Sequence, residues 1–560
     1  MQSVAHDNQE NEMLHQVLKI HPQDNVLVAL TDLKSGGSVL FQENHITLTH
    51  DVQAKHKFSE ADLAPGQEIY MYGIIVGKAL FPIRKGEVLT TQNVAHKTAE
   101  YTGKRMEFHW NAPDTGKWKD KYFMGYHRKD GQVGTANYWL VVPLVFCENR
   151  NVDIIKQAFV EELVFEKPNR FKAYVQQMSS LYARGEKDKI WDLNLETVEK
   201  ENNQRIFSHI DGIKFLTHQG GCGGTRQDSE ALCALIAGYI NNPNVAGATV
   251  LSLGCQNAQP GILKEKLDKI NPQLDKPIIL LEQQKEGTEL ALLTTAIQKT
   301  FLAMAEADQM RREPAPLSKL TIGLECGGSD GFSGISANPA VGHVSDLIVA
   351  LGGKTILSEF PELCGVEQEL INRCTTDESA HKFVHLMRAY SASAEAVGSG
   401  FDMNPSPGNI KDGLITDAIK SAGAAKKGGT SPIVDILDYT EVAVKPGLNL
   451  LCTPGNDVES TTAMASSGAN IILFTTGLGT PTGNPITPVI KVSSNDRLTQ
   501  KMPDIIDVNT GGVISGEKTI HEMGEEMLEY IIEVASGNIT PKAVLLNQND
   551  FIPWKRGVSL

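Results

Sequence analysis

From Tyr138 onward, short apolar runs alternate with amphipathic helical patterns. The apolar run 139–146 leads into the helical pattern 152–161, and the run 213–216 leads into the pattern 228–239. Such alternation is typical of strand–helix–strand units, in which successive strands lie parallel and helices cover the sheet. The chain is therefore predicted to have an α/β fold with mainly parallel sheets.

The amino-terminal part of the chain has a different pattern. Short alternating runs are separated there by glycine and proline turns such as Gly36-Gly37 and Pro65-Gly66, which predicts a small β-rich domain over residues 1–98. The polar stretch 99–125 lacks periodicity and is predicted to be a surface linker. Glycine and proline residues cluster within 398–413. This cluster predicts a boundary between a central α/β domain, 126–395, and a carboxy-terminal α/β domain, 396–560.

Four cysteines follow predicted strands, three of them in glycine-rich turns. Cys222, Cys255 and Cys326 lie in those turns, and Cys147 follows a further apolar run. Open α/β sheets bind ligands at the carboxyl ends of their strands, where glycine lets the backbone approach a ligand closely. We therefore predict that Cys222, Cys255 and Cys326, with Cys147 as a fourth, are metal ligands. The alternative is that they are free thiols kept for packing, because so wide a spacing is no ligand motif by itself.

Composition excludes several classes of protein. The formal net charge of −15 argues against a nucleic-acid or anionic-membrane surface. No stretch approaches about 18 consecutive apolar residues, and the start of the chain lacks the apolar segment of a signal peptide. Eight cysteines in 560 residues are too few for a disulfide framework. We therefore expect a cytoplasmic protein.

Longer motifs are more specific than the isolated cysteines. The longest runs from Glu325 to Gly334 and has the sequence Glu-Cys-Gly-Gly-Ser-Asp-Gly-Phe-Ser-Gly. The others occupy residues 20–26, 130–137, 253–257, 404–409, 454–457 and 477–481. Through these motifs the chain resembles the altronate/galactarate dehydratase family of sugar-acid dehydratases, over nearly its whole length.

This resemblance implies a fold and an activity. The amino-terminal domain would be a small β-rich, SAF-like domain, followed by α/β domains. The activity would be that of a hydro-lyase in hexuronate breakdown, most similar to enzymes that convert D-altronate into 2-dehydro-3-deoxy-D-gluconate and water. Galactarate dehydratase and sulfolactate sulfo-lyase share the scaffold, and both activities stay open as alternatives.

One part of the chain departs from the family pattern. Relatives often have a Glu and then a Cys after the Pro-Gly-Asn motif, whereas this chain has Ala418 and Ala424 in the corresponding segments. Because of this departure, a protein that binds a sugar acid without transforming it stays an alternative interpretation. A thiol-redox enzyme is disfavoured, because the sequence contains no Cys-x-x-Cys pair.

The implied reaction requires a base and an electrophile. A divalent metal can stabilise the enolate formed when the C2 proton leaves, and the resemblance implies Fe2+, either as a single ion or in an iron–sulfur cluster, with Mn2+ as an alternative. The base needs a pKa near the working pH, which favours histidine or a perturbed lysine. His21, His56 and His218 are the predicted catalytic candidates; for each, a surface or hydrogen-bonded histidine is the alternative interpretation.

A sugar-acid substrate also needs polar partners for its hydroxyls and its carboxylate. Sites that hydrogen-bond a hydroxyl discriminate strongly against compounds that lack it. The expected partner is this small molecule, with a homo-oligomer as a further possibility. The residues predicted to bind the substrate are Ser329, Asp330, Ser333, Asn338, Asn456, Asp457, Thr480, Arg128 and His96.

Overall fold

The computed structural model describes residues 16–165, 170–193, 195 and 205–559. Residues 1–15, on which the expectation about a signal peptide rests, lie outside these ranges. None of the helices in the described ranges is long and apolar enough to cross a membrane.

The amino-terminal domain consists of short antiparallel strands, which confirms the prediction of a β-rich fold. Its hydrophobic residues alternate with glycine-containing turns, and Leu27 and Phe58 are fully buried at its centre. The strands form two three-stranded sheets, ordered β1-β2-β5 and β6-β7-β8, and the hairpin β3-β4. Their bounds are β1 Val17–Leu18, β2 Val26–Ala29, β3 Ser38–Phe41, β4 Asn44–Thr47, β5 Lys57–Ser59, β6 Glu68–Met71, β7 Ile74–Ala79 and β8 Val94–Ala95.

The segment between this domain and the first parallel sheet is largely irregular, and part of it is buried. Trp118 is 1 % exposed, and its indole N–H donates to Glu529. The segment ends in β9 Tyr122–His127, which pairs antiparallel with β10 Val133–Gly134 and with β15 Arg312–Pro316. This small sheet lies at the junction between the two parallel sheets.

The first parallel sheet has four strands, ordered β12-β11-β13-β14. Its strands are β11 Tyr138–Pro143, β12 Gly212–Phe215, β13 Val245–Ser252 and β14 Ile278–Glu282. Trp139, Val141 and Val142 in β11 are fully buried. A parallel strand covered by helices on both faces needs such a continuous apolar run.

The second parallel sheet has seven strands, ordered β18-β19-β17-β16-β20-β21-β22. The predicted boundary between residues 395 and 396 runs through this sheet, because β16 and β17 precede it and pair with strands that follow it. The change from one sheet to the other lies instead between β15 and β16. The strands are β16 Thr321–Cys326, β17 Lys354–Leu357, β18 Ile433–Leu437, β19 Gly447–Leu451, β20 Ile471–Thr476, β21 Val489–Ser493 and β22 Val508–Asn509.

Helices connect the parallel strands, as the sequence pattern predicts. Those of the first sheet are α1 Asn149–Glu162, α2 Arg170–Ala183, α3 Arg226–Asn241, α4 Pro260–Ile270, α5 Gln283–Glu286 and α6 Glu289–Ala307. Those of the second are α7 Ala337–Ala350, α8 Glu367–Arg373, α9 Asp377–Glu395, α10 Pro407–Lys411, α11 Asp417–Ala425, α12 Asp457–Ser466, α13 Asp496–Lys501, α14 Gly511–Ser515, α15 Ile520–Ala535 and α16 Lys542–Leu545.

Helices α3 and α12 hold the two parallel sheets together. Ser466 at the end of α12 donates to the carbonyl of Leu235 in α3, and Gly238 lies so close to Ser466 that a Cβ there would be 2.1 Å from its Oγ. Buried Asn242 donates to the carbonyls of Ala465 and Ala469, at 2.8 Å each. A buried amide is retained at such a junction because its hydrogen bonds are satisfied.

The amino-terminal domain packs against the loops that follow β16 and α10. Lys57, 1 % exposed, donates to the carbonyl of Gly413 at 2.7 Å, and Thr416 donates to the carbonyl of Val76 in β7. Burial lowers the pKa of Lys57 to about 7. The small domain therefore covers one end of the seven-stranded sheet.

Candidate active site

Four neighbouring strands of the seven-stranded sheet end at one place. In the order β19, β17, β16 and β20, their carboxyl ends lead to Asp457, Glu359, Cys326 and Thr475. Ligand sites of parallel sheets form at this edge because the loops after neighbouring strands converge there. The described residues at this edge include an unusual number of buried ionisable groups.

Cys326 lies within a buried network of two ion pairs. Lys427 Nζ donates to Cys326 Sγ at 2.6 Å and to Glu359 at 2.9 Å, and its side chain is 1 % exposed. The Cys326 thiol in turn donates to Glu362 at 3.3 Å. Lys420 forms the second ion pair, with Glu362 at 2.5 Å. We call these five residues, Cys326, Glu359, Glu362, Lys420 and Lys427, the ion-pair network.

Glu359 in this network has a backbone conformation that side chains rarely adopt. Its φ is +66°, in the left-handed region, where a non-glycine residue stores strain of roughly 1–3 kcal/mol. Its amide donates to Thr453 at 2.9 Å, which holds the residue in place. Such strain persists at sites where the position of a side chain matters for function.

Two buried acidic side chains and one partly buried acidic side chain converge beside the ion-pair network. One oxygen each from Glu325, Glu359 and Asp457 lies within 4.8 Å of the other two, and we call these residues the carboxylate group. Burial is the main cause that raises the pKa of Glu325 well above its usual range, and the charge of Glu359 adds to it. Burial, together with the charges of Glu359 and Glu362, raises the pKa of Asp457 to about 7. Oε1 of Glu325 and Oε1 of Glu359 have no hydrogen-bond partner among the described residues. This arrangement favours either a shared proton or a bound cation.

Lys491 is a buried lysine near the carboxylate group. Its Nζ is 3.3 Å from the centroid of the Phe474 ring and has no hydrogen-bond partner within the described ranges. Burial lowers its pKa to about 7, and the charges of Asp457 and Glu325 only partly oppose this shift. At neutral pH a large share of Lys491 is therefore an uncharged amine, which can accept a proton.

Lys55 of the small domain reaches this edge of the sheet. Lys55 Nζ lies 3.0 Å from Asp330 and 3.1 Å from Asp412. Asp330 also accepts hydrogen bonds from Ser333, Ser494 and Asn495 through its two oxygens. Asp330 and Ser333 therefore fix the loop after β16, and every oxygen of Asp330 is already engaged.

Most of the other predicted substrate-binding residues hydrogen-bond or closely contact other parts of the protein. Asn338 donates to the Gly423 carbonyl and accepts from Thr475, and Asn456 caps α12. Ser329 is buried and accepts through its carbonyl from Asn409. Thr480 lies across from Gly328, where a Cβ would be 2.8 Å from its Oγ. Of the predicted residues, Asp457 belongs to the carboxylate group. Ser329, Asn456 and Thr480 lie in the surrounding loops, and Asn338 lies in the first turn of α7.

Arg128 and His96 lie outside this constellation. Arg128 is buried and donates to the carbonyls of Pro243 and Ala136 and to the Asn137 side chain, so it joins β9 to the first parallel sheet. His96 pairs with Asp417 through Nδ1, next to Cys364. Both residues are therefore engaged by protein groups.

The three predicted catalytic histidines are not brought together. His21 Nδ1 accepts from the amide of Gln23, and His56 contacts the carbonyl of Lys411 at 3.0 Å through Nε2. His218 is buried at the end of the four-stranded sheet. Its Nε2 lies 2.7 Å from the Pro143 carbonyl, and its Nδ1 accepts from the amide of Gly220. Each of the three histidines therefore has a hydrogen-bond partner within the protein, and a catalytic role for any of them stays a prediction.

The predicted cysteine ligands divide into two sites. Cys147, Cys222 and Cys255 are exposed and follow β11, β12 and β13 of the four-stranded sheet, whereas Cys326 is buried at the end of β16 in the seven-stranded sheet. The expectation that Cys326 joins Cys222 and Cys255 on one metal is therefore wrong for this structure. The reason is that these strands belong to different sheets, which no local pattern reveals.

The chain matches known proteins over nearly its whole length. Three family models match: the altronate/galactarate dehydratase SAF domain over residues 15–97, the D-galactarate dehydratase/altronate hydrolase second domain over 125–308, and the D-galactarate/altronate dehydratase carboxy-terminal domain over 317–559. The chain is 34% identical to the altronate dehydratase of Bacillus subtilis (strain 168), over 97% of this chain and 99% of that protein. The chain belongs to the altronate/galactarate dehydratase family.

Two further relatives support this placement. The altronate dehydratase of Escherichia coli (strain K12) is 32% identical over 97% of this chain and 100% of its own length. The galactarate dehydratase (L-threo-forming) of the same organism is 29% identical over 93% of this chain and 92% of its own. The family resemblance and the SAF domain inferred from sequence motifs are thereby confirmed.

The departure from the family pattern lies in α11, which contributes to the site through other residues. Ala418 and Ala424 are buried on this helix. Lys420, on the same helix, pairs with Glu362, and Asp417 pairs with His96. The alanines therefore leave the contribution of α11 to the ion-pair network intact.

Sequence reasoning missed most of the ion-pair network. Glu359 and Glu362 follow the apolar run of β17, so a search for acids after every predicted strand would have found them. Lys420 and Lys427 lie on and directly after α11, where lysines are common, and nothing local distinguishes them. They become recognisable only through their buried partners in other segments.

The two glycines next to Cys222 test how closely the loop after β12 approaches the loop after β11. Gly221 and Gly223 both have left-handed φ values, +95° and +71°, but a Cβ at 221 would lie 2.1 Å from the Leu144 carbonyl, whereas at 223 it would meet nothing within 4 Å. We expect Gly223→Ala to lower the free energy of unfolding by about 1–2 kcal/mol, the cost of the backbone conformation. Gly221→Ala should add an overpacking cost of roughly 1–3 kcal/mol. Denaturant unfolding measures both; equal losses would contradict the close approach.

Proposed function

We propose that this chain is an altronate dehydratase, a hydro-lyase that converts D-altronate into 2-dehydro-3-deoxy-D-gluconate and water. The observation that carries the proposal is the identity of 32–34% with two altronate dehydratases over 97% of the chain, against 29% with a galactarate dehydratase. That these relatives are named dehydratases supports an enzyme of the lyase class. The cytoplasmic location and a homo-oligomeric state stay predictions.

The residues at the edge of the seven-stranded sheet suit this chemistry. The reaction removes a weakly acidic proton from C2, next to the carboxylate, and expels the C3 hydroxyl. Lys491 is the base we propose, because its amine has no hydrogen-bond partner among the described residues and its pKa is lowered to about 7. Lys420, held by Glu362 and by Asn404 at 2.6 Å, offers a fixed positive charge for the substrate carboxylate.

The carboxylate group would hold the metal in this proposal. Two of its oxygens, on Glu325 and Glu359, have no hydrogen-bond partner within the described part of the chain. Together with the neighbouring Asp457 they are hard ligands that fit a divalent ion such as Fe2+ or Mn2+. Bound there, the ion supplies positive charge that stabilises the enolate of the substrate. Lysine bases beside metal ions also serve enolase-type active sites, which abstract the same kind of proton.

The substrate is tested by turnover of the purified chain. We expect D-altronate, supplied with Fe2+ or Mn2+ under anaerobic conditions, to yield the 2-keto-3-deoxy acid faster than galactarate does, and sulfolactate to release no sulfite. If only galactarate gives product, or only sulfolactate gives sulfite, that acid would be assigned as the substrate instead. The chain would still be a lyase. Absence of product from all three acids would favour a protein that binds a sugar acid without transforming it.

The metal site is tested by binding rather than by activity. Glu325→Gln removes a ligand charge while its Oε2 partner Ser460, at 2.6 Å, can still be bonded. We expect this variant to bind Mn2+ at least about tenfold more weakly in calorimetric titration, by the usual effect of altering a metal site. Glu367→Gln is the control, because Glu367 is also a buried acid but lies outside the carboxylate group. Equal Mn2+ affinity of Glu325→Gln and the parent protein would exclude Glu325 as a ligand.

A further inference from the structure

Three exposed thiols lie on adjacent loops at the edge of the four-stranded sheet. Cys147, Cys222 and Cys255 follow β11, β12 and β13, and β11 lies between the other two strands. We call these three residues the thiol site. They belong to a different sheet from the ion-pair network and the carboxylate group, so the proposed reaction leaves them without a role.

Backbone hydrogen bonds tie the three loops together around Gly220 and Gly221. Phe146, next to Cys147, donates to the Gly220 carbonyl at 3.1 Å. The amides of Asn257 and Ala258, just after Cys255, both donate to the Gly221 carbonyl, at 2.9 and 3.1 Å. Each cysteine is therefore within three residues of a hydrogen bond that joins its loop to the loop of Cys222.

Glycines with left-handed backbone allow this close approach. A Cβ at Gly221 would lie 2.1 Å from the Leu144 carbonyl, and one at Gly254, φ +125°, would lie 2.4 Å from the Gln284 side chain. Only glycine combines such a conformation with so little space. The loops are thus shaped so that the segments carrying the thiols meet.

The exposure of these thiols separates them from the rest. The other five cysteines, at positions 233, 326, 364, 374 and 452, are buried, and burial raises the pKa of each thiol. Buried thiols of this kind are inert, whereas exposed ones can lose a proton and bind a metal. Cys222 also lines a cavity of about 420 Å³, together with His218, Asp228 and Lys555.

The spacing of the sulfurs argues against a single ion held by all three thiols. Around one tetrahedral ion, with metal–sulfur bonds of about 2.3 Å, ligand sulfurs lie roughly 4 Å apart. The three thiols of the thiol site do not all lie within 4.8 Å of one another. In an iron–sulfur cluster each cysteine binds a different iron, so the sulfurs can be further apart.

We propose that Cys147, Cys222 and Cys255 bind an iron–sulfur cluster; because the thiol site offers three cysteines, one iron of a four-iron cluster would have no cysteine ligand. Each thiol releases its proton to solvent when it binds iron. This site is independent of the carboxylate group, so the inference does not depend on where the proposed catalytic metal binds.

Anaerobic reconstitution of the full chain with sulfide and equal parts of ferrous and ferric iron tests the site, because a four-iron cluster with a 2+ core contains two irons of each oxidation state. A four-iron cluster predicts about four irons and four acid-labile sulfides per chain, with the visible absorption of such a cluster. Cys147→Ala, Cys222→Ala and Cys255→Ala should each lose most of the sulfide and this absorption. Two controls should keep both: Cys233→Ala, a buried thiol of α3, and Glu325→Gln, in the carboxylate group.

Alkylation gives a second measurement that needs no variant. Reconstitution should protect Cys147, Cys222 and Cys255 from a thiol reagent that modifies them in the untreated protein. The inference is overturned if the parent chain takes up no sulfide, if any of the three alanine variants keeps full sulfide content, or if reconstitution leaves the three thiols equally reactive. Loss of altronate turnover with an intact cluster would count against the proposed function alone.

Discussion

Lys491→Met is expected to lower kcat by about a thousandfold, the usual contribution of a general base, while the protein stays folded. Methionine matches the length of the lysine stem but cannot accept the C2 proton. The Lys491 amine has no hydrogen-bond partner among the described residues, so its removal leaves no group unpaired. Steady-state kinetics on D-altronate, together with denaturant unfolding, measures both expectations.

The pH dependence follows from the same amine. A base must be uncharged, so kcat/KM should rise with pH through a limb at about 7, and a bound cation would shift that limb to lower pH. The unfolded chain holds this proton up to its ordinary pKa of 10.5, while the folded chain releases it near 7. The free energy of unfolding should therefore rise with pH across this interval, and Lys491→Met should lose that contribution.

Lys491→Arg separates a base from a fixed positive charge. Arginine keeps the charge but does not lose its proton in proteins, so it should be as inactive as methionine if Lys491 is the base. Activity of Lys491→Met within tenfold of the parent protein, or a fully active Lys491→Arg, would remove Lys491 from that role.

Unlike Lys491→Met, which should stay folded, Lys427→Met should destabilise the protein. We expect it to lose about 3–5 kcal/mol in the free energy of unfolding. Lys427 is as deeply buried as Lys491, but its ammonium group bonds both Cys326 and Glu359, at 2.6 and 2.9 Å. Removing it leaves the Glu359 carboxylate buried, without its ion-pair partner. Denaturant unfolding at neutral pH provides the measurement.

Two further variants identify the cause of that loss. Lys426→Met changes the neighbouring, half-buried lysine and should alter the free energy of unfolding by no more than about 0.5 kcal/mol. Lys427→Met combined with Glu359→Gln removes both charges, so the double variant should be more stable than the sum of the single losses predicts. Strict additivity would show that the two side chains do not interact.

Much of the fold is predictable from local patterns. The continuous apolar run of β11 predicted a buried parallel strand, and the alternating runs before residue 98 predicted the small β domain. The motif from Glu325 to Gly334 predicted the family, and it also marked one strand end of the candidate site. These predictions succeed because backbone propensity, hydrophobic period and motif identity are properties of short segments.

The candidate site was predicted only in part. Asp457 was named, and Cys326 was correctly expected at a strand end, but it was assigned to the wrong partners. Glu359, Lys420 and Lys427 were missed, and the histidines proposed as bases have hydrogen-bond partners elsewhere. A lysine has no distinctive chemistry until its surroundings are known.

The sequence alone determined which segments become strands, which turns can approach a ligand and which family the chain resembles, because each depends on residues that are neighbours along the chain. Only the tertiary structure decided which strand ends face one another. The sheet order places β16 between β17 and β20, which brings Cys326 to Glu359, and it separates Cys326 from the three exposed thiols. The same packing buries the Lys491 amine, which has no hydrogen-bond partner in the described ranges, and lowers its pKa, because desolvation depends on every segment that surrounds the amine.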